Sequence, residues 1–142
     1  MSSNEIICSH YLTTNDIHFK SEIKLKSLPR KCFDFSFSYL GVKWIIEVDG
    51  EQHFQYNSLF HEGSVDRFYQ RRQVDVDKTK AAINEGYNVI RIDYVQIKNI
   101  TYHIARAFSF KEKLYVSTAK MLSFKNFTIN HFHNTSLIRY FH

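Results

Sequence analysis

Apolar and polar residues alternate along two stretches in the N-terminal third of the chain. The alternation covers residues 17–25 and 31–40, and a third apolar run, residues 42–49, follows a turn at Gly41. A period of two is typical of strands with one buried face, so we expect three strands, of which the last two form a hairpin. Ahead of them, residues 3–13 place apolar side chains at helical spacing behind small polar residues, which predicts a short first helix.

A long charged stretch without proline or glycine occupies the middle of the chain. Residues 65–85 contain a stripe of apolar positions and end at Gly86, so they predict a helix with a glycine C-cap. Residues 87–92 predict a strand, residues 97–108 predict a closing helix, and residues 58–64 predict a loop. Hairpin-linked strands followed by a helix and another strand indicate an α/β fold with a mixed β-sheet.

Composition points to one folded domain with a basic C-terminal extension. The chain has 142 residues, of which 44% are hydrophobic, enough for one core at the usual domain size. Nineteen Lys and Arg residues against fourteen Asp and Glu give a net charge of +5, which favours a polyanionic partner. Residues 111–142 hold five of the basic residues and one acid. We therefore divide the chain into a domain at residues 1–110 and an unassigned basic, aromatic extension at residues 111–142.

The sequence has none of the features of a secreted or membrane-spanning protein. It does not open with a basic segment followed by an apolar run, and no run approaches the roughly 18 apolar residues that a membrane helix needs. Cys8 and Cys32 lack the spacing of a metal site. We expect an intracellular protein that is not secreted and has no membrane partner.

The third predicted strand ends in a cluster of charged residues. Side chains two apart in a strand share a face, so Glu47 and Asp49 are expected on one side while Ile46 and Val48 enter the core. Hairpin pairing across the turn would bring Asp34 of the preceding strand close to both acids. Carboxylate oxygens are the ligands that Mg²⁺ and Mn²⁺ prefer, and such an ion activates water and neutralises phosphodiester charge. The pattern therefore predicts a divalent-metal site at Asp34, Glu47 and Asp49.

Asp34 is the one acid within an aromatic strand. Aromatic side chains occupy every second position of that strand and are expected to share one face: Phe33, Phe35, Phe37 and Tyr39. The alternative interpretation of Asp34 is a solvated strand residue, and that of Asp49 is a turn residue beside Gly50. His53 follows the acids closely, and imidazole titrates where proton transfer to or from water requires it.

Four separated segments, in a fixed order, resemble a nuclease family. They are residues 33–35 (FDF), 46–54 (IEVDGEQHF), 72–78 (RQVDVDK) and 89–94 (VIRIDY). Asp34, followed after twelve residues by Glu47-Val48-Asp49, resembles the PD-(D/E)xK nuclease pattern with Asp49 in place of the usual lysine. The longer frame is similar to the small nucleases related to very-short-patch mismatch repair endonucleases, including the EDxHD homing endonucleases of phages. This resemblance covers residues 2–108.

The resemblance implies a restriction-endonuclease-like fold and metal-dependent hydrolysis of DNA phosphodiester bonds, with Mg²⁺ or Mn²⁺ as cofactor. The catalytic residues that it implies, with Asp49 as a further candidate, are Glu5, Asp34, Glu47, His53, Asp75 and Lys78. Because Asp49 stands where a lysine is usual, the lysine charge must come from His53 or Lys78, or be dispensed with. One active site cuts one strand, so double-strand cleavage would need a homodimer or two events. A viral or phage origin would put the protein in the host cytoplasm or nucleus.

Other interpretations of these residues remain open at the level of sequence. The basic side chains of the long helix predict contacts to DNA phosphates: Arg67, Arg71, Arg72 and Lys78. The acids between them are equally typical of a solvated face, on which Asp75 would pair with Arg71 or Arg72. Glu5 is favoured in any first helical turn by the helix dipole alone. The rivals to an endonuclease are a catalytically inactive nucleic-acid-binding module of the same fold and a protein-interaction domain.

Overall fold

The computed structural model of the chain describes residues 1–50, 65–118 and 121–132. The helices are α1 (Ser3–Thr14), α2 (Val65–Asn84), α3 (Ile100–Phe110) and α4 (Leu122–Phe132), with a 3₁₀ helix at Tyr94–Asn99. The strands are β1 (Phe19–Leu25), β2 (Leu28–Tyr39), β3 (Val42–Asp49), β4 (Asn88–Asp93) and β5 (Leu114–Val116). The predicted loop at residues 58–64 and the candidate His53 lie outside the described residues.

The five strands form one sheet in the order β1-β2-β3-β4-β5. Strand β2 is antiparallel to both β1 and β3, whereas β4 is parallel to β3 and β5 is parallel to β4. This topology confirms the predicted α/β class with a mixed sheet. The predicted hairpin turns at Gly41, whose φ of 79° is a conformation that glycine adopts without strain. At the end of α2, Gly86 has a φ of 93°, as expected for a glycine C-cap.

Helices cover both faces of the sheet, so the molecule has three layers. On one face α1 and α3 pack against apolar residues of β2, β3 and β4, including Phe35, Ile46 and Ile90. On the other face α2 and α4 pack against the alternate residues of the same strands, including Ile45 and Val89. Both sides of β3 and β4 are therefore buried, and the polar residues that these strands carry need partners inside the protein.

The aromatic residues of β2 do not share one face, contrary to the expectation. Phe35 and Phe37 pack under α1 and α3, whereas Phe33 packs with the α2 side of the core. Between the two sets, β1 carries Glu22 at a φ of 52°, an unusual backbone conformation for a residue with a side chain. The hairpin changes direction there, and Asp34 lies at the point where the alternation of β2 is interrupted.

Part of the expected C-terminal extension belongs to the domain itself. Strand β5 completes the sheet, and Phe124 of α4, only 1% exposed, packs beside α2. The predicted closing helix divides into the 3₁₀ helix and α3. Residues 133–142 lie outside the part of the chain that the structure describes. Among the described residues, no helix has both the length and the apolar character needed to span a membrane.

Candidate functional site

Strands β2 and β3 separate at Asp34, and a cleft opens there. Their ladder of paired residues ends with Phe35 opposite Ile46. Beyond that pair, Oδ2 of Asp34 accepts a hydrogen bond of 2.8 Å from the main-chain N–H of Val48. The carboxylate thus replaces the carbonyl that a continuing strand would offer, which satisfies Val48 and fixes the position of the Asp34 side chain.

Glu47 is buried next to this cleft, on the side that faces α2. Its Oε1 lies 2.9 Å from Nζ of Lys78, which α2 carries to the sheet. The contact is an ion pair without hydrogen-bond geometry, because Oε1 has no hydrogen-bond donor among the described residues. The Lys78 ammonium also lies 4.9 Å from the centre of the Phe33 ring. The lysine is therefore held between a carboxylate and an aromatic face, and points inward rather than to the helix surface.

Residues from both helical layers line one open cavity at this cleft, with a volume of ≈360 Å³. The lining brings together five of the residues that the sequence singled out: Glu5, Asp34, Glu47, Arg71 and Lys78. Glu5 reaches the rim from the first turn of α1. Its carboxylate accepts a 3.2 Å hydrogen bond from the main-chain N–H of Ser2, and its own N–H donates to Ser2 Oγ. Glu5 therefore caps α1 as well as facing the cavity.

The carboxyl groups of Asp34 and Glu47 hold their protons more tightly than free carboxyl groups. Burial raises the pKa of Glu47 to about 8, and the negative charge of Asp34 adds to the increase, while Arg91 and Lys78 oppose it. Burial also raises the pKa of Asp34, against the hydrogen bond from Val48. Two carboxyl groups this close titrate as a pair. Near neutral pH the pair therefore carries less than its full negative charge, and a cation would bind there by displacing a proton.

Asp49 and Asp75 lie outside the residues that line the cavity and contact Arg91 of β4 instead. Nε and Nη2 of Arg91 donate to the two carboxylate oxygens of Asp49 at 2.8 and 2.6 Å. Nη2 is also 3.2 Å from Oδ1 of Asp75, and Nη1 donates to Thr79 Oγ1 at 3.1 Å. All three charged side chains are buried. Asp75 is only 2% exposed, so the interpretation of it as a residue of the helix surface is wrong.

Arg91 is the residue that sequence reasoning missed. It lies in the segment of residues 89–94 (VIRIDY), but the resemblance implies no role for it. The signal was present, because Arg91 stands between the apolar residues Ile90 and Ile92 in a short strand, and all six residues of β4 are buried. An arginine in such a strand needs buried acids as partners. Its two acids were among the predicted site residues.

The basic residues of α2 have different environments. Arg67 and Arg71 are exposed, and Arg71 lines the cavity. The guanidinium of Arg72 is half-buried and lies 5.9 Å from the centre of the Phe127 ring on α4. Lys78 lines the cavity beside Glu47, so the exposed basic side chains among the four predicted ones are Arg67 and Arg71, in the first half of the helix.

Replacement of Arg91 by methionine tests its role as a shared counter-ion. We expect Arg91→Met to lower the free energy of unfolding by about 3–5 kcal/mol near neutral pH, because two buried carboxylates lose their partner. The loss should be smaller in acid, where protonation neutralises them. Adding Asp49→Asn and Asp75→Asn should restore part of the stability. Urea denaturation measures each variant, and an unchanged midpoint for Arg91→Met would contradict the assignment.

The raised pKa of Glu47 predicts a pH dependence of stability. A carboxyl group whose pKa is higher in the folded state stabilises the fold when protonated, and this contribution disappears as the pH rises through the folded pKa of about 8. Without divalent cations, wild type should therefore lose at least ~1.4 kcal/mol, the equivalent of one pKa unit, relative to Glu47→Gln between mildly acidic and mildly alkaline pH. Urea midpoints across that range measure the difference. Parallel profiles for the two proteins would show that Glu47 titrates normally.

Within the described residues, no three side chains of His, Cys, Asp or Glu form a group able to hold a metal ion as they stand. What the cleft provides is a pair, Asp34 and Glu47, with Lys78 against it and Glu5 at the rim. The chain has no match among protein-family models, curated proteins or solved structures.

Proposed function

We propose that the chain is a metal-dependent DNA endonuclease with a restriction-endonuclease-like fold. One observation carries the proposal. Glu47, a buried carboxylate whose Oε1 has no hydrogen-bond donor among the described residues, stands beside Asp34 in an open cavity with Lys78 against it. A buried carboxylate of this kind is costly unless a cation or a proton compensates it. A buried carboxylate that lowers the stability of the fold in this way is typical of a catalytic or binding site.

Asp34 and Glu47 are the residues that would hold the cation. Both offer carboxylate oxygens, the donors that Mg²⁺ and Mn²⁺ prefer, and Asp34 is already oriented by Val48. Glu5 lies close enough to the cavity to contribute a further oxygen, directly or through water. When bound, a divalent cation would lower the pKa of its water and neutralise charge on the phosphodiester.

Lys78 takes the part of the lysine that the PD-(D/E)xK pattern has at the position of Asp49. Its ammonium reaches the same cavity from α2 instead of from β3, and the Phe33 ring and Glu47 hold it there. A positive charge at this place stabilises the negative charge that develops on the phosphate during hydrolysis. His53 stays a candidate for proton transfer, and its position lies outside the described residues.

Asp49 and Asp75 take a structural part in this proposal. Both oxygens of Asp49 accept hydrogen bonds from Arg91, so metal binding there would take from a buried guanidinium its bidentate partner. We therefore propose Asp34 and Glu47 as the metal ligands, with Glu5 as a candidate third ligand. DNA would approach past Arg71 at the cavity and the exposed Arg67 one helical turn away, where both can contact phosphates.

The fold supports the same proposal from a second direction. The resemblance covers α1, the β1-β2-β3 meander, the crossover helix α2 and β4 in that order along the chain. The spacing from Asp34 to Glu47 along the sequence becomes physical proximity because the two strands pair as a hairpin. Cleavage of both strands of a duplex would require two copies of the site, supplied by a homodimer or by two successive events.

Cleavage of supercoiled plasmid tests the function. Wild type with Mg²⁺ or Mn²⁺ should convert supercoiled DNA to the nicked form, and EDTA should abolish the reaction. Asp34→Asn and Glu47→Gln should each lower the rate by at least ~100-fold, and Lys78→Met by a similar factor, since each removes a charge at the reacting phosphate. Asp77→Asn is the matched control, because Asp77 is exposed on the same helix and bonds only to Gln73 within the described residues.

The outcomes separate the rival functions. A wild type that binds DNA but leaves it intact with either cation would be an inactive nucleic-acid-binding module. Equal cleavage by wild type and Asp34→Asn would point to a contaminating nuclease and would remove the support for this site. A protein with no DNA affinity at any salt concentration would favour a protein-interaction domain.

A further inference from the structure

A second, larger cavity opens on the β1-β2-β3 side of the sheet, away from the residues that line the Asp34 cavity. It has a volume of ≈640 Å³, and its lining includes His18, Lys20, Lys24, Ser36, Ser38, Lys43 and Tyr87. We call it the lysine groove after Lys20, Lys24 and Lys43. The two cavities have no lining residue in common.

The charge of the lysine groove is one-sided. Three lysines and a histidine line it, and the lining includes no acidic residue of the described part of the chain. Glu85, whose main-chain carbonyl contacts Lys43, has its carboxylate turned to Ser27, whose N–H donates to it at 3.0 Å. Glu22, between Lys20 and Lys24 on β1, is not among the lining residues. Lys20 and Lys24 are exposed and make no ion pair with the described residues. Their charge is therefore available to a ligand.

The sequence around the groove carries a local excess of positive charge. Residues 17–43 contain six Lys and Arg residues and two acids, which gives +4, while the complete chain has +5. The near balance of charge over residues 1–110 hides this local excess. A basic surface that a protein maintains without acidic partners is the electrostatic footprint of a polyanion site.

One cation of the groove is fixed in place. Nζ of Lys43 donates to the main-chain carbonyl of Glu85 at 3.2 Å and lies 4.2 Å from the centre of the Tyr87 ring. Its ammonium has three protons, so one hydrogen bond to a carbonyl leaves donors for a ligand. Because the side chain is already ordered, binding through it costs less conformational entropy than binding through a free lysine.

The strand register places hydroxyl groups between the cations. Lys20 pairs with Ser36 across β1 and β2, and Ser38 pairs with Lys43 across β2 and β3. Hydroxyls and ammonium groups are the common donors to phosphate oxygens. Lys20 and Lys24 are four residues apart on β1, on either side of Glu22, where the backbone departs from regular strand geometry. The two lysines therefore occupy separate positions along the groove and suit separate phosphates.

We propose that the lysine groove binds the phosphate backbone of DNA and anchors the substrate at a distance from the cutting site. The proposal rests on the proposed function in that DNA is the ligand, but it concerns a separate surface. Helix α2 links the two places, since Arg71 and Lys78 line the Asp34 cavity and Tyr87 follows the C-terminus of the helix. A duplex held in the groove would gain affinity without regard to its sequence, because phosphate contacts carry no base information.

DNA binding without cleavage tests the groove by itself. Fluorescence anisotropy in EDTA measures the affinity of full-length wild type, Lys20→Gln/Lys24→Gln and a control, Lys98→Gln/Lys111→Gln, for two duplexes of unrelated sequence at several salt concentrations. The control removes the same charge from exposed lysines outside the groove. The groove variant should bind both duplexes more weakly by the same factor, and its plot of log affinity against log salt should be less steep by about two, one per lysine.

Other results overturn the groove. They are equal salt dependence for wild type and the groove variant, or an equal loss for the groove variant and the control, which would indicate a diffuse charge effect. No DNA binding by wild type at low salt would overturn both proposals. The two fail separately otherwise: a groove variant with weakened binding beside a wild type that never cuts plasmid leaves the groove standing and removes the endonuclease. If instead the groove variant binds DNA as tightly as wild type and wild type cuts plasmid in a metal-dependent reaction, the endonuclease proposal stands and the groove proposal is overturned.

Discussion

The arrangement of the site depends on one buried cation. Arg91 of β4 contacts Asp49 at the end of β3 and Asp75 on α2, so a single guanidinium joins the two central strands to the helix that covers them. Placing these charges in the interior is expensive, and the cost is offset because the contact to Asp49 is bidentate and Nη1 donates to Thr79 Oγ1 and to the main-chain carbonyl of Asp75. Since α2 is held to the sheet at Asp75, Lys78 one turn later reaches Glu47 in a defined position.

The same ion pair separates the carboxylates that contact Arg91 from those that line the cavity. With Asp49 and Asp75 committed to Arg91, the cavity retains Asp34 and Glu47, and burial without a full counter-charge raises the pKa of both. In the proposed mechanism, the site can bind a cation only if the Asp34–Glu47 pair releases a proton or if Lys78 moves away from Glu47. In the proposed mechanism, pH, metal and the lysine are therefore linked through Glu47.

The sequence was sufficient wherever the information was local. Alternation and turn residues predicted the strands, and the hairpin at Gly41 implied that Asp34 and Glu47 would meet. What failed was non-local. The position of Arg91 opposite Glu47 follows from the parallel pairing of β3 with β4, which no periodicity reveals, so the contact between Arg91 and Asp49 could not be predicted. The different environment of Phe33 follows from the unusual backbone at Glu22 in the β1-β2 hairpin. The lysines of the groove become neighbours only through the register of β1, β2 and β3, which the sequence does not reveal.

The most direct test of the account is calorimetric titration of Mn²⁺ into the protein at neutral pH, repeated in two buffers with different heats of ionisation. We expect one ion to bind to wild type with release of a proton, because Glu47 must ionise to accept it, and the heat should differ between the buffers accordingly. Glu47→Gln should bind weakly and release none. Equal binding by wild type and Glu47→Gln, or no binding by wild type, would contradict the central claim that Asp34 and Glu47 form a metal site.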